Sequence, residues 1–332
     1  MTRPVKGRCV FRRPVESLVG VPYNARVSKA YRLLICASLS LSALLAACEK
    51  KSPKTDPGAM TPADRGSSGS AIVNTGPVDT TPLDGVATDK LGDDKKALFF
   101  KLVGSLSSPC GKAESLRKAY ADTSCKRSPF AARYVLALVE DDASEPQVRE
   151  EYEKKYKPNP PVVSFDVSKA PHDGPDDAPV KMYEFFDYGC PHCKVFKPML
   201  EEVVKDEAGK AVVYSMMFPL DKHEQSKGAA QAALAANAQG KFKAMHDMLF
   251  DKAPDQDKEH VMAYAKAIGL DMTKFENDWA GALPQVTSDV AQGDKAGVDS
   301  TPTLYLNNRK YEGPMHPKYI KMWIDEELAV NR

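Results

Sequence analysis

The sequence predicts an α/β domain carrying a long helical insertion, preceded by a small all-helical module. Three observations predict it. An apolar and aromatic run at 180–188 reads as a strand, leads straight into Cys190-Pro191-His192-Cys193, and is followed by helical spacing from residue 194. A long helical stretch occupies residues 224 to about 293. Upstream, residues 90–156 carry apolar residues at helical spacing.

Composition narrows the function classes. The chain has 332 residues, 42% hydrophobic and 27% charged, enough for one sizeable domain and something smaller. The net charge of +1, with lysines and acids interspersed, gives no field that would gather nucleic acid. No phosphate loop, nucleotide fingerprint or Ser-His-Asp order is present, and no cofactor is expected.

Residues 1–48 read as an address. Arg26, Lys29 and Arg32 precede an uncharged run at 33–47. Its length is short for a bilayer core of ~30 Å and suits the apolar core of a secretory signal. The run ends Leu45-Ala46-Ala47-Cys48, which resembles the bacterial lipobox. That resemblance implies a lipidated Cys48 as the mature N-terminus; the alternative is a plain signal anchor with an incidental cysteine. The stretch before Val27 is long for such a signal, and Val27 is a plausible alternative start. Cys9 and Cys36 are removed in either case. Residues 49–89 are rich in Pro, Gly, Ser, Thr and Asp. They read as a flexible tether, of roughly 35 Å root-mean-square reach.

Residues 90–157 form the helical module. Ala97, Leu98, Leu102, Val103 and Leu106 share one spacing, and Phe130, Tyr134, Leu138 and Val139 another. Ser144 opens a further helix with Pro146 in its first turn. Cys110 and Cys125 both fall here, and in an oxidising compartment a structural disulfide is the default. Closing a ~15-residue loop is worth about 3 kcal/mol on the chain-entropy account. A redox pair relaying electrons to Cys190 is the alternative.

A proline-rich break at 158–161 precedes the last domain, 160–332. Residues 162–167 read as a strand, 170–179 as a turn-rich connector and 180–188 as a second strand. The Cys-x-x-Cys therefore sits where a strand turns into a helix. Unpaired N–H groups and the macrodipole at a helix start favour an anion, and the thiolate is the reactive form of cysteine. Cys190, first in the motif, is thus the expected nucleophile and Cys193 the resolving thiol. His192 is placed to stabilise the Cys190 thiolate, and Pro191 stiffens the turn. Half a zinc site is the competing explanation of such a pair, but no second Cys-x-x-Cys or paired His motif follows, and His223, His246 and His260 look like dispersed surface residues. No metal is expected. A purely structural disulfide is the other competitor.

The segment 184–193, Glu-Phe-Phe-Asp-Tyr-Gly-Cys-Pro-His-Cys, resembles the active-site segment of the DsbA family of bacterial thiol oxidases. Residues 298–306, VDSTPTLYL, resemble that family's cis-proline loop and following strand. The resemblance covers about half the chain, from residue 162 onward. It implies a thioredoxin-like fold interrupted by the helical insertion, and a cis Thr301–Pro302 peptide facing the cysteines and presenting backbone to substrate. It also implies a buried Glu184 assisting proton transfer at Cys193, as a secondary site; a surface acid is the alternative. The implied activity is a dithiol oxidase on the extracytoplasmic, periplasmic side of a bacterial membrane. Its implied partners are exported polypeptides with cysteines, a membrane redox protein that recycles the pair, and the membrane itself through the lipid. A reductase or isomerase, for instance in cytochrome maturation, is the enzymatic alternative. A tethered peptide-binding or chaperone module is the non-enzymatic one.

Overall fold

A strand covered on both faces needs apolar residues at both parities, and β2 (Val180–Phe186) supplies them, with Lys181 alone half-buried. It is the middle of a five-stranded sheet in the computed structural model, which describes residues 76–331. Strand order is β1-β3-β2-β4-β5, with β1 at His172–Asp173, β3 at Ala211–Met217, β4 at Thr303–Leu306 and β5 at Arg309–Lys310. Only β2 and β3 are parallel; the other pairs are antiparallel. A parallel pair needs a crossover, which α5 (Pro191–Asp206) provides.

Period-two alternation sorts the sheet's side chains into two cores. Val180, Met182, Leu304 and Leu306 pack under α5 and the C-terminal helix α11 (Pro317–Val330), against Phe196, Leu200, Ile320, Trp323 and Ile324. Tyr183, Phe185, Tyr214, Met216 and Tyr305 form the opposite core.

That second core explains why residues 162–167 form no strand. Val163 N–H reaches Asn308 O at 3.1 Å, and the Asp166 N–H is taken by the Gln292 side chain at 2.6 Å, so no ladder is built. The segment lies across the sheet instead. Phe165 packs within about 5 Å of the Tyr183, Phe185 and Tyr305 rings. The pairing strand comes from the supposed connector, where β1 joins the β3 edge.

The insertion consists of five helices, α6 (Ser226–Asn237), α7 (Phe242–Asp251), α8 (Lys258–Ala267), α9 (Met272–Gly281) and α10 (Leu283–Ala296). Alanines at 229, 230, 232, 233, 235 and 236 are buried on α6, letting its neighbours approach closely. At the far end, Asp289 of α10 accepts the Met217 N–H at 3.1 Å and so ties the insertion to β3.

Upstream, α1 (Asp93–Ser105), α2 (Leu116–Ala121), α3 (Ser128–Glu140) and α4 (Glu145–Lys155) surround Phe99, Leu102, Val103, Leu116, Tyr134 and Val148. Cys110 and Cys125 are bonded, S–S 2.02 Å, across the loops flanking α2. Tyr319 of α11 belongs to the same core, and behind it lies a buried ionic cluster. Glu326 meets Lys155 at 2.9 Å and Arg127 at 2.6 Å, and accepts from Tyr156 Oη at 3.0 Å. Burial works against the Glu326 charge, but Lys155 and Arg127 outweigh it and hold the carboxyl below its usual range. Burial lowers Lys155 to about 8, and its ammonium lies 3.7 Å from the Trp323 ring centre.

The expected tether ends sooner than residue 89. Leu83, Val86 and Thr88 are buried, and Arg117 and Tyr120 of the α2 segment donate to the carbonyls of Thr81 and Asp84. Two apolar side chains and two backbone bonds suffice to dock a stretch that composition marked as unstructured. Cys9, Cys36, the run at 33–47 read as a secretory signal, and Cys48 lie outside the described residues. Among the described residues no helix is long and apolar enough to cross a membrane.

Candidate active site

Cys190 is the N-cap of α5, with φ −84° and ψ 119°, and Pro191 follows at the first helical position, where its missing N–H costs nothing. Both cysteines are unbonded thiols. Cys190 is 5% exposed and Cys193, one turn in, 1%. The Cys190 thiol donates to Thr301 O at 3.3 Å, and the Thr301–Pro302 peptide is cis. Residues 111 apart in sequence thus meet because β4 pairs antiparallel with β2 and delivers its preceding loop to the start of α5. Thr301 Oγ1 is buried, and its side chain favours charge on the Cys193 sulfur.

Glu184 is 6% exposed on the face of β2 beneath α5. Burial, with Glu201 adding and Lys197 opposing, pushes its carboxyl up to about 8. Burial likewise raises the Cys193 thiol well above its usual range; the Asp187 backbone amide opposes, and Glu184 and Cys190 add to the rise. A carboxyl that keeps its proton at neutral pH therefore lies electrostatically close to the thiol least able to ionise. His192 is exposed on the first turn of α5.

Helical periodicity gives α5 one buried face. Cys193, Phe196, Leu200, Val203 and Val204 are buried, whereas Val195 is 61% exposed. The stripe is set by Cys193 turning inward, which places Val195 outside next to the cysteine pair.

Two of the supposed surface histidines are built into this region. His246 on α7 is 8% exposed, its Nδ1 3.0 Å from Tyr188 Oη, and burial pulls it down to about 3. His223 Nδ1 lies 2.6 Å from Asp187 Oδ2. His260 does have an exposed side chain, 47%. The insertion grips the residues before Cys190 twice more: Gln256 donates to Tyr188 O at 3.0 Å, and Gly189 N–H reaches Ser226 Oγ at 3.0 Å. A side chain at Gly189 would collide with Ser226 Oγ at 2.6 Å and His223 Cβ at 2.8 Å. Asp187 and Tyr188 lie inside the recognised motif, but nothing local marks His223, Ser226, His246 or Gln256 as their partners.

A strand–dithiol–helix junction closed by a cis-proline loop is the arrangement of a thioredoxin-fold thiol–disulfide oxidoreductase. The profile of the family described as Thioredoxin matches residues 167–326. Disulfide bond formation protein D of Bacillus subtilis is 33% identical over 169 residues, spanning 47% of this chain and 75% of that protein. The chain belongs to the DsbA-like family of thiol–disulfide oxidoreductases. The crystal structure of oxidised BdbD from Bacillus subtilis is 27% identical, covering 51% of this chain and 98% of that one at a TM-score of 0.46. The Na(+)/H(+) antiporter NhaA 3 of Salinispora tropica is 33% identical over 155 residues, 46% of this chain. The chain spans about a quarter, 24%, of that antiporter's length.

Proposed function

We propose that the protein is an extracytoplasmic dithiol oxidase that introduces disulfides into exported polypeptides, held to a membrane by lipid on Cys48 and reoxidised by a membrane redox partner. The observation that carries the catalytic assignment is the asymmetry of the pair. Cys190 caps α5 against the Thr301 carbonyl, and Cys193 lies deeper, beside a protonated Glu184.

The cycle follows from that asymmetry. A substrate thiolate attacks Cys190 Sγ of the Cys190–Cys193 disulfide. A mixed disulfide to Cys190 forms, and Cys193 leaves as a thiolate that Glu184 protonates. A second substrate thiolate then attacks the substrate sulfur of the mixed disulfide and expels Cys190, whose thiolate is favoured by the helix start. The substrate gains a disulfide, and the protein takes up the two electrons as its dithiol. Thr301 and Pro302 line the approach, and Pro191 and His192 form the exposed rim of the turn. Cys110 and Cys125 stand outside this cycle as a staple of the helical module.

The test is the reduction potential of the Cys190–Cys193 couple. Thiolate stability and disulfide instability are one free energy, so the value belongs nearer about −120 mV, where DsbA itself lies, than about −270 mV. A value below about −250 mV makes the protein a reductase instead.

A further inference from the structure

Asp187 and His223 stand against the cysteine pair, yet neither enters the exchange above. The Asp187 side chain is completely buried. Its Oδ1 accepts the Gly189 N–H at 2.7 Å, and its Oδ2 accepts the Leu220 N–H at 2.9 Å. Its carbonyl accepts the Cys190 N–H at 3.1 Å, and its own amide favours charge on the Cys193 sulfur. One residue thus touches both cysteines. Both carboxyl oxygens already accept backbone N–H bonds, so at the 2.6 Å contact His223 Nδ1 is the donor. The His223 side chain is 21% exposed, which leaves Nε2 as the atom where a proton enters or leaves.

A buried carboxylate this near two thiols opposes either thiolate. Two backbone N–H groups soften that charge; only a cation can cancel it. The other ionisable groups on the segments flanking this pair are Glu184 on β2, His192 and Lys194 on α5, Asp221, Lys222 and Glu224 beside His223 in sequence, and His246 on α7. Burial keeps Glu184 and His246 uncharged at neutral pH. Lys194 is directed to Asp251 O. His223 alone is in contact with Asp187.

We propose that His223 is a positioning residue for disulfide exchange, cancelling the buried Asp187 charge beside Cys190 and so favouring the Cys190 thiolate as attacking and leaving group. This rests on Cys190 being the exposed reactive thiol of the pair.

The test is the pH profile of iodoacetamide alkylation of the reduced full chain, with mass mapping, comparing wild type, His223→Gln and His223→Gln/Asp187→Asn. Cys190 is labelled first throughout. In His223→Gln the midpoint of its rate–pH profile moves up by about one unit, and the couple becomes about 30 mV more reducing, the same factor of ten for two electrons. Removing the carboxylate as well brings the midpoint of the double variant back below that of His223→Gln. A purely mechanical brace predicts the reverse, because the double variant loses more bonds. Either that reversal or a wild-type midpoint in His223→Gln overturns the proposal. Labelling of Cys193 first overturns the nucleophile assignment instead. If His223→Gln does not fold, the wild type still decides. Linkage is reciprocal, so the NMR titration midpoint of His223 must be higher in the reduced than in the oxidised protein, and equal midpoints overturn it.

Discussion

At Glu184 the proton stays because burial under α5 makes the charged form costly, which ties stability to pH. The folded carboxyl titrates at about 8 against 4.5 for the free group. Glu184 therefore favours folding fully below pH 4.5, and that contribution is lost as pH rises to about 8. Glu184→Gln is expected to flatten this slope and to be the more stable protein at pH 8 by more than about 1.4 kcal/mol, the equivalent of one pKa unit. Urea unfolding of both proteins at pH 5 and pH 8 checks it; equal differences at the two pH values sink it. The same variant is expected to exchange disulfides more slowly, since Cys193 then leaves without an internal acid. Cys193→Ala is expected to accumulate mixed disulfides through Cys190, and Cys190→Ala few, read on non-reducing gels. Comparable trapping by both would remove the division of roles.

Among the elements, the helical module is joined to the catalytic domain by charge as well as by apolar packing. Glu326 on α11 bridges Lys155 at the end of α4 and Arg127 before α3; Glu326 and Lys155 are withdrawn from solvent, and the Arg127 side chain is partly covered. Removing Glu326 leaves the Lys155 ammonium buried without its anion, which costs about 3–5 kcal/mol, while Arg127 keeps Glu327 at 3.7 Å. Glu326→Ala is expected to lose that much in chemical unfolding, whereas an exposed pair such as Lys274–Asp271 contributes under about 1 kcal/mol. The Cys110–Cys125 staple acts within the module. A Cys110→Ser/Cys125→Ser variant is expected to lose about 3 kcal/mol while keeping its activity per folded molecule. A folded variant without activity would instead make the pair a relay.

At the scale of the whole molecule, the lipid proposed on Cys48 would set where the exchange takes place. Cys48→Ala is expected to shift the protein from the membrane to the soluble extracytoplasmic fraction; retention with normal processing would refute lipidation at that residue. The sequence by itself determined the α/β class, the strand-to-helix placement of Cys190 and Cys193, and the position of the helical insertion. All three are written in local periodicity and in contiguous motifs. The pairing of Thr301–Pro302 with the cysteines was legible only by resemblance, because the β2–β4 register that joins them is not local. Tertiary structure alone decided the rest. Residues 162–167 became a covering segment because their partners are aromatic rings rather than a strand edge. Residues 79–89 docked because the α2 segment offers donors to their carbonyls. His223 and His246 moved from surface to site because the insertion folds back over the residues before Cys190. Burial, long-range pairing and the charge a group keeps depend on which distant elements cover it, and no local pattern in a single sequence records that.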